Sequence, residues 1–217
     1  MRVIYSIFSV FAFTGLVACG NSQSTKTVES DTIIEDSIPP IIEPSPSFAE
    51  DEGKVIADLN FFISEKDFDK NKDKYLADIR GSYDYEIGTY ICSHVDGQFE
   101  NDSLYYVTFI GQPYEADDYT RETIRQYQDL VKLYKSKYGN PSYEVSDFPE
   151  CYELSEGESY YLADWDLGNR KIQISLKDRS PYYSLNLSIY REDIARRIRD
   201  RYEKEHNANK KDAKSVI

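Results

Sequence analysis

The sequence predicts an α+β fold in which helices cover one face of an antiparallel sheet. Two amphipathic helical stripes are each followed by runs of alternating apolar and polar residues, with turn signals between the runs. The order helix, meander, helix, meander recurs at a spacing of about 60 to 70 residues, although the residues themselves do not repeat. The same order therefore also fits a domain built from two helix-plus-meander halves.

The first predicted helix begins next to Ser64. Ser64 and Asp67 have the spacing of an N-terminal cap, and Ile63 and Phe68 have that of a hydrophobic staple. The apolar side chains that follow fall on one helical face, and they are Phe68, Tyr75, Leu76 and Ile79. Gly81 is a typical stop signal after such a stripe.

The first helix also carries acidic residues at alternate positions, which resembles the ligand spacing of an EF-hand calcium loop. The residues concerned are Asp67, Asp69, Asn71 and Asp73, with Asp78 twelfth from Asp67. An EF-hand requires glycine at its sixth position and glutamate at its twelfth, where this sequence has Lys72 and Asp78. Lysines between the acids favour a solvated helix face, so we predict no metal site.

Strand signals follow the first helix. Residues 83–95 are β-branched and aromatic, Asp96-Gly97 is typical of a hairpin turn, and residues 104–110 alternate after a second turn signal at Asn101-Asp102. A second helix is predicted from Thr120 to Tyr138, with Gly139 as its stop signal. Its apolar stripe consists of Ile124, Tyr127, Val131, Tyr134 and Tyr138.

The second half has the same pattern. Three strands are predicted over residues 159–165, 170–177 and 182–190, separated by polar turn segments. A last helix begins at about Glu192. The single α+β domain is expected over residues 55–205, and the polar residues 206–217 are expected to be a disordered tail.

The amino terminus is typical of an exported protein. Arg2 precedes an apolar run over residues 3–13, which is short for a membrane span. Leu16-Val17-Ala18-Cys19 then resembles the lipobox of bacterial lipoprotein precursors at every position. That resemblance implies removal of residues 1–18 as a signal peptide and acylation of Cys19, which would anchor the chain to a membrane. An ordinary secretory signal and an uncleaved anchor are the alternatives.

Residues 19–54 are rich in Ser, Thr, Glu and Pro and lack periodicity, which predicts a disordered tether behind the lipid. By the same resemblance, Gly20 in place of aspartate implies the outer membrane, with the domain facing the periplasm. The formal net charge is -13, which argues against a nucleic-acid partner.

The chain has three cysteines. With Cys19 acylated, Cys92 and Cys151 would remain in a compartment where disulfides persist. Because sequence supplies no geometry for a bridge, a Cys92–Cys151 disulfide and two free thiols both stay open.

Three pairs of tyrosines lie within or at the start of predicted strands and form a candidate binding surface. They are Tyr105, Tyr106, Tyr160, Tyr161, Tyr182 and Tyr183. One tyrosine of each pair should point away from the core, since successive strand residues face opposite sides. Outward tyrosines on adjacent strands would suit a protein or glycan partner. Alternatively, a helix or the tail covers them.

Few residues indicate catalysis. His94 and His206 are the only histidines, and the chain has no GxSxG, P-loop, GxGxxG or HExxH motif. Asp164 and Asp166 flank Trp165 on a predicted strand, so both carboxylates share one face as a glycosidase-like pair would. A solvated strand face with Trp165 in the core is the alternative. We predict no catalytic residue and no cofactor.

Together these observations favour a lipid-anchored cell-envelope lipoprotein that acts as a non-enzymatic binding or envelope-assembly module, with a protein or glycan partner. In element order the domain looks like small lipoproteins of outer-membrane assembly machinery and like the tandem-repeat β-lactamase-inhibitor fold. That resemblance implies a protein-binding role, but architecture alone is a weak guide to function. An envelope hydrolase acting on glycan or peptide and an inhibitor or ligand-capture protein are the alternatives.

Overall fold

The computed structural model describes residues 51–82 and 84–215, with side chains as far as residue 207. The helices of this part of the chain are α1 (Glu65–Tyr75), α2 (Ala116–Tyr138) and α3 (Glu192–Ser215). Its strands are β1 (Lys54–Ile56), β2 (Leu59–Asn60), β3 (Tyr85–Ile87), β4 (Tyr90–Glu100), β5 (Ser103–Gly111), β6 (Tyr114–Glu115), β7 (Tyr143–Glu144), β8 (Ser159–Leu167), β9 (Arg170–Arg179) and β10 (Tyr182–Arg191). The predicted signal peptide, Cys19 and the tether up to residue 50 lie outside the described residues.

Eight of the described strands form one antiparallel sheet in the order β3-β4-β5-β10-β9-β8-β7, with β6 paired to the end of β10. Strands β1 and β2 form a separate hairpin. Each of the meanders β3–β5 and β8–β10 follows a helix, and the two meanders join through their last strands, β5 and β10. The predicted α+β fold with an antiparallel sheet is confirmed.

Helices α1 and α2 pack on one face of this sheet. Their buried side chains share a core with one face of the strands, which includes Phe68, Val107, Leu130, Tyr134, Ile174 and Leu187. The described side chains of helix α3 do not pack against this core. Ile194 and Ala195 of this helix pack against Tyr105 and Tyr190 instead. Tyr190 alternates with the core residue Ile189 along β10, so α3 lies against the end of the opposite face. The prediction of helices on one face thus holds for α1 and α2 and not for α3.

Local sequence signals place three of the helix ends. Two other ends differ from the prediction, because α1 ends at Tyr75, before the stop predicted at Gly81, and α2 begins at Ala116 instead of Thr120. The Ser64 hydroxyl accepts a hydrogen bond from the Asp67 backbone N–H at 3.1 Å, as the predicted cap requires. Helix α2 ends at Tyr138, and Gly139 follows with a φ of 79°. Helix α3 begins at Glu192 as predicted but continues to Ser215, through most of the predicted disordered tail. That segment contains Lys and Ala, which are good helix formers.

The hairpin predicted at Asp96-Gly97 is wrong. Both residues lie inside β4, and the chain reverses at Asn101-Asp102, where φ is 50° and 59°. Gly97 is needed for close packing instead. A Cβ at Gly97 would lie 2.9 Å from Leu104 Cδ1 and 3.1 Å from Phe68 Cε1. A side chain at this position would therefore require Leu104 and Phe68 to shift.

We call the line along which β5 pairs with β10 the seam. A buried hydroxyl and a glycine pack at this seam. The Tyr90 hydroxyl lies 2.6 Å from the carbonyl oxygen of Phe109 in β5 and 3.0 Å from that of Leu185 in β10. Burial raises the pKa of Tyr90, so it remains a donor at neutral pH. A Cβ at the neighbouring Gly111 would collide with the Leu185 carbonyl oxygen.

We expect Gly111→Ala to lower the free energy of unfolding by about 2 to 3 kcal/mol, because the added methyl must push β5 and β10 apart. Gly53→Ala is the matched control, since a Cβ there meets nothing within 4 Å, and a change within about 0.5 kcal/mol is expected. Urea unfolding measures both values. Equal unfolding midpoints for the two variants would contradict this account of the seam.

Candidate binding site on the open sheet face

The sheet face opposite α1 and α2 carries polar side chains, and among the described elements α3 packs against one end of it. On β9, Gln173 and Ser175 alternate with the core residues Ile172 and Ile174. Asn186 and Ser188 on β10 follow the same alternation. We call the polar side chains of this surface the open face, and they include Gln98, Thr108, Gln173, Ser175, Asn186 and Ser188.

A groove of about 230 Å³ runs across the open face. Its lining comes from β4, β5, β10, β9 and β8, so at about 4.8 Å per strand it spans roughly 19 Å. The charged members of its lining are Asp96, Lys177 and Arg179. The groove is consequently close to neutral, in a chain whose net charge is -13.

Hydroxyl, amide and aromatic groups are held in fixed positions in the groove. Thr108 Oγ1 and Ser188 Oγ lie 3.4 Å apart across the β5–β10 seam. The Tyr106 ring stacks on Tyr190 with the ring centroids 4.7 Å apart. Burial raises the pKa of Tyr106, so its hydroxyl stays protonated at neutral pH. The site can therefore donate and accept hydrogen bonds without any change of charge.

The six predicted tyrosines do not lie on one surface. Tyr160, Tyr161 and Tyr182 are exposed, and Tyr161 lines the groove. Tyr105 is only 8% exposed and packs under α3 together with Tyr106. The ring of Tyr183 faces the core, where its centroid lies 5.0 Å from that of Tyr119.

β-Bulges explain part of this distribution. Gln98 pairs with Tyr106 and Phe99 pairs with Leu104, so Tyr105 is an extra residue in β5. The alternation of side chains between the two faces of the sheet is interrupted at this bulge, so both Tyr105 and Tyr106 face α3. A second bulge in β8 lies between Tyr161 and Ala163. The sequence carries no signal that distinguishes these bulged tyrosines from alternating ones.

The candidate acid and base residues do not assemble into a catalytic group. Asp164 forms an ion pair with Lys171 at 3.3 Å, while Asp166 is exposed. Trp165 lies in the core, where its indole N–H donates to the Gly139 carbonyl oxygen at 2.9 Å. His94 contacts Asp96 at 2.7 Å, and both side chains are exposed.

The other residues that the sequence analysis considered lie on helices α3 and α1. His206 is exposed on α3, far along the chain from His94. The acidic residues of the EF-hand-like stretch lie on helix α1, as predicted, and Asp67 accepts hydrogen bonds from Asn71 and Tyr75. No group of His, Cys, Asp and Glu suited to a metal occurs among the described residues. Nor does any described helix have the length and apolar character that crossing a bilayer requires.

Cys92 and Cys151 are free thiols, so the disulfide that the sequence left open is not formed in this structure. The buried Cys92 thiol donates to the His94 carbonyl oxygen at 3.0 Å. Cys151 is partly exposed in a short 3₁₀-helix between β7 and β8. The two cysteines thus lie in different local environments.

Comparison of the chain with protein-family models, with curated proteins and with solved structures found no match. The groove residues Gln98, Thr108, Gln173, Asn186 and Ser188 were not among the residues predicted from sequence. A signal for some of them exists, because polar and apolar residues alternate over residues 172–177 of β9 and 184–189 of β10. The sequence does not reveal that β5 lies beside β10, which brings these residues together.

We expect the two thiols to differ sharply in reactivity. Burial raises the pKa of Cys92 to about 12, so this thiol has almost no thiolate at pH 8 and should resist iodoacetamide until the protein unfolds. The more exposed Cys151 should be alkylated in the folded state. Intact-mass and peptide analysis without reductant measures both reactions. Protection of both thiols that is lost on reduction would instead indicate a disulfide.

Proposed function

We propose that this protein is a lipid-anchored lipoprotein of the bacterial envelope that binds a glycan on the open face of its sheet. The observation that carries the proposal is the composition of the groove, whose lining combines neutral hydroxyl and amide side chains with the ring of Tyr161. The lipobox ending at Cys19 supports the anchor, and Gly20 supports the outer membrane with the domain in the periplasm.

The groove chemistry favours a glycan over a protein. Each sugar hydroxyl is both donor and acceptor, and the amides of Gln98, Gln173 and Asn186 supply both functions from a planar group. An exposed tyrosine ring such as Tyr161 can pack against the C–H face of a sugar. A protein interface of this width would instead be expected to have an apolar centre, and Ile110 is the only aliphatic side chain of the described groove lining.

Binding is also better supported than hydrolysis. A glycosidase requires one carboxyl group with a raised pKa beside a second that stays ionised. Here Asp164 forms an ion pair with Lys171 at 3.3 Å, and Asp166 and His94 are exposed to water. Asp96 is the one carboxyl group of the described groove lining, so the groove lacks the pair of carboxyl groups that a glycosidase uses. The hydroxyls and amides of the lining can position a ligand.

Mass spectrometry of the protein purified from its own membranes tests the anchor. We expect an amino terminus at Cys19 that carries acyl mass, because the lipobox directs cleavage before this residue. A Cys19→Ser variant should carry no acyl chains, because it lacks the thiol that accepts them. An unlipidated start at another residue would contradict the anchor.

Titration calorimetry with a panel of neutral oligosaccharides, among them a β-1,4-linked tetramer of N-acetylglucosamine, tests the groove. Gln173→Ala and Tyr161→Ala should each weaken binding about tenfold, which corresponds to about 1.4 kcal/mol for one lost hydrogen bond or ring contact. Tyr152→Ala is the matched control, because Tyr152 is 81% exposed and lies outside the groove. Absence of binding by every sugar, or equal binding by all variants, would contradict the proposal.

A further inference from the structure

A second cavity, of about 260 Å³, lies where the end of α2 meets the β1–β2 hairpin. We call it the α2 cavity. Its apolar wall consists of Val55, Ile56, Ile87, Leu133 and Tyr134. Ile87, Val55 and Tyr134 belong to the core shared by α1 and α2, so this cavity is on the side of the sheet opposite the open face. None of its lining residues lines the groove.

A buried guanidinium forms the polar end of the α2 cavity. Arg170, at the start of β9, is only 4% exposed. Its Nη1 donates to the Tyr138 hydroxyl at 2.8 Å, and its Nη2 donates to the Val55 carbonyl oxygen at 2.8 Å. Its Nε is buried and has no hydrogen-bond partner among the described residues.

The Asp51 carboxylate belongs to the same hydrogen-bond network but does not bind the Arg170 guanidinium directly. Asp51 accepts a hydrogen bond from the Tyr138 hydroxyl at 3.0 Å and pairs with Lys137 at 2.9 Å. A tyrosine hydroxyl therefore stands between Asp51 and Arg170. The hydrogen bond from Lys137, first among several interactions, lowers the pKa of Asp51, so this carboxylate is ionised at neutral pH.

The arrangement leaves capacity for another anion. Removing a cation from water costs several kcal/mol unless an anion pairs with it, and the contact of Arg170 with the Tyr138 ring, 5.4 Å from the centroid, offsets part of that cost. Lys137 adds a second cation at the rim, where it is more than half exposed. Cationic groups thus lie at one end of an apolar cavity.

We propose that the α2 cavity binds a carboxylate that carries a short apolar chain. The carboxylate lies near Arg170 and Lys137, in competition with Asp51, and the chain lies against Val55, Ile87 and Leu133. This site does not depend on the proposed glycan groove, because the two sites share no residue and face opposite sides of the sheet.

Titration calorimetry with the chain from Gly20 onwards, which keeps all described residues, tests the site with three probes. Octanoate has both the charge and the chain, octanol lacks the charge and acetate lacks the chain. We expect octanoate to bind one per protein molecule, and the other two at least ten times more weakly. Octanol binding as tightly as octanoate, or no saturable octanoate binding, would overturn the proposal.

Three variants identify the location. Leu133→Glu places an anion on the apolar rim, at a side chain that is already 46% exposed, and should weaken octanoate binding at least tenfold. Gln128→Glu adds the same charge to an exposed position of α2 outside the cavity and should change nothing. Asp51→Asn should tighten binding, because it removes the competing carboxylate.

The Asp51→Asn result separates a ligand site from a purely structural network. Loss of an internal ion pair with no gain in affinity for octanoate would show that Asp51 only stabilises the fold. Thermal unfolding of each variant verifies that it is folded, and if Leu133→Glu is unfolded, the Asp51→Asn titration and the three probes still decide the question.

Discussion

The pairing of β5 with β10 is the interaction on which the rest of this structure depends. It joins two meanders that are each too narrow to cover a helix face and makes them one continuous sheet. Tyr90, which belongs to β4, reaches across β5 and places its hydroxyl beside carbonyl oxygens of both seam strands. Gly111 permits the close approach that this contact needs. Three strands are therefore linked by one buried side chain at the centre of the molecule.

A continuous sheet has two faces, and the helices of residues 51–215 do not cover both. Helices α1 and α2 bury one face, whereas α3 covers only the end of the other through Tyr105, Tyr190 and Ile194. The remaining area is lined by serine, threonine, asparagine and glutamine along β5, β9 and β10. Ser175, Asn186 and Ser188 are only 5 to 6% exposed there, whereas Thr108 and Gln173 are partly exposed. Hydroxyls and amides add no charge to a strongly acidic protein. They also make the surface chemically suited to a neutral polar ligand.

How much of the structure the sequence predicts depends on how far apart the interacting residues are along the chain. The Ser64 cap, the end of α2 before Gly139 and the strands β8 to β10 follow from residues within a few positions of one another. The tight packing at Gly97 depends on Phe68 and Leu104, and the seam depends on residues about 80 positions apart, such as Thr108 and Ser188. No local pattern encodes those pairs. Local patterns therefore predicted most elements, but not the groove that the seam assembles.

The α2 cavity illustrates a further limit of sequence reasoning. Arg170 lies two positions before Ile172 and four before Ile174, so its side chain is on the core face of β9. Arginine is more typical of a protein surface. A buried arginine is stable only if its neighbours supply acceptors, and here Val55 and Tyr138 come from elements more than 30 positions away. Those two acceptors leave Nε unpaired, and the carboxylate of Asp51 is held one hydroxyl away. A buried arginine without a direct ion pair stabilises the fold less than a directly paired arginine would. This is the reason to regard Arg170 as part of the proposed binding site.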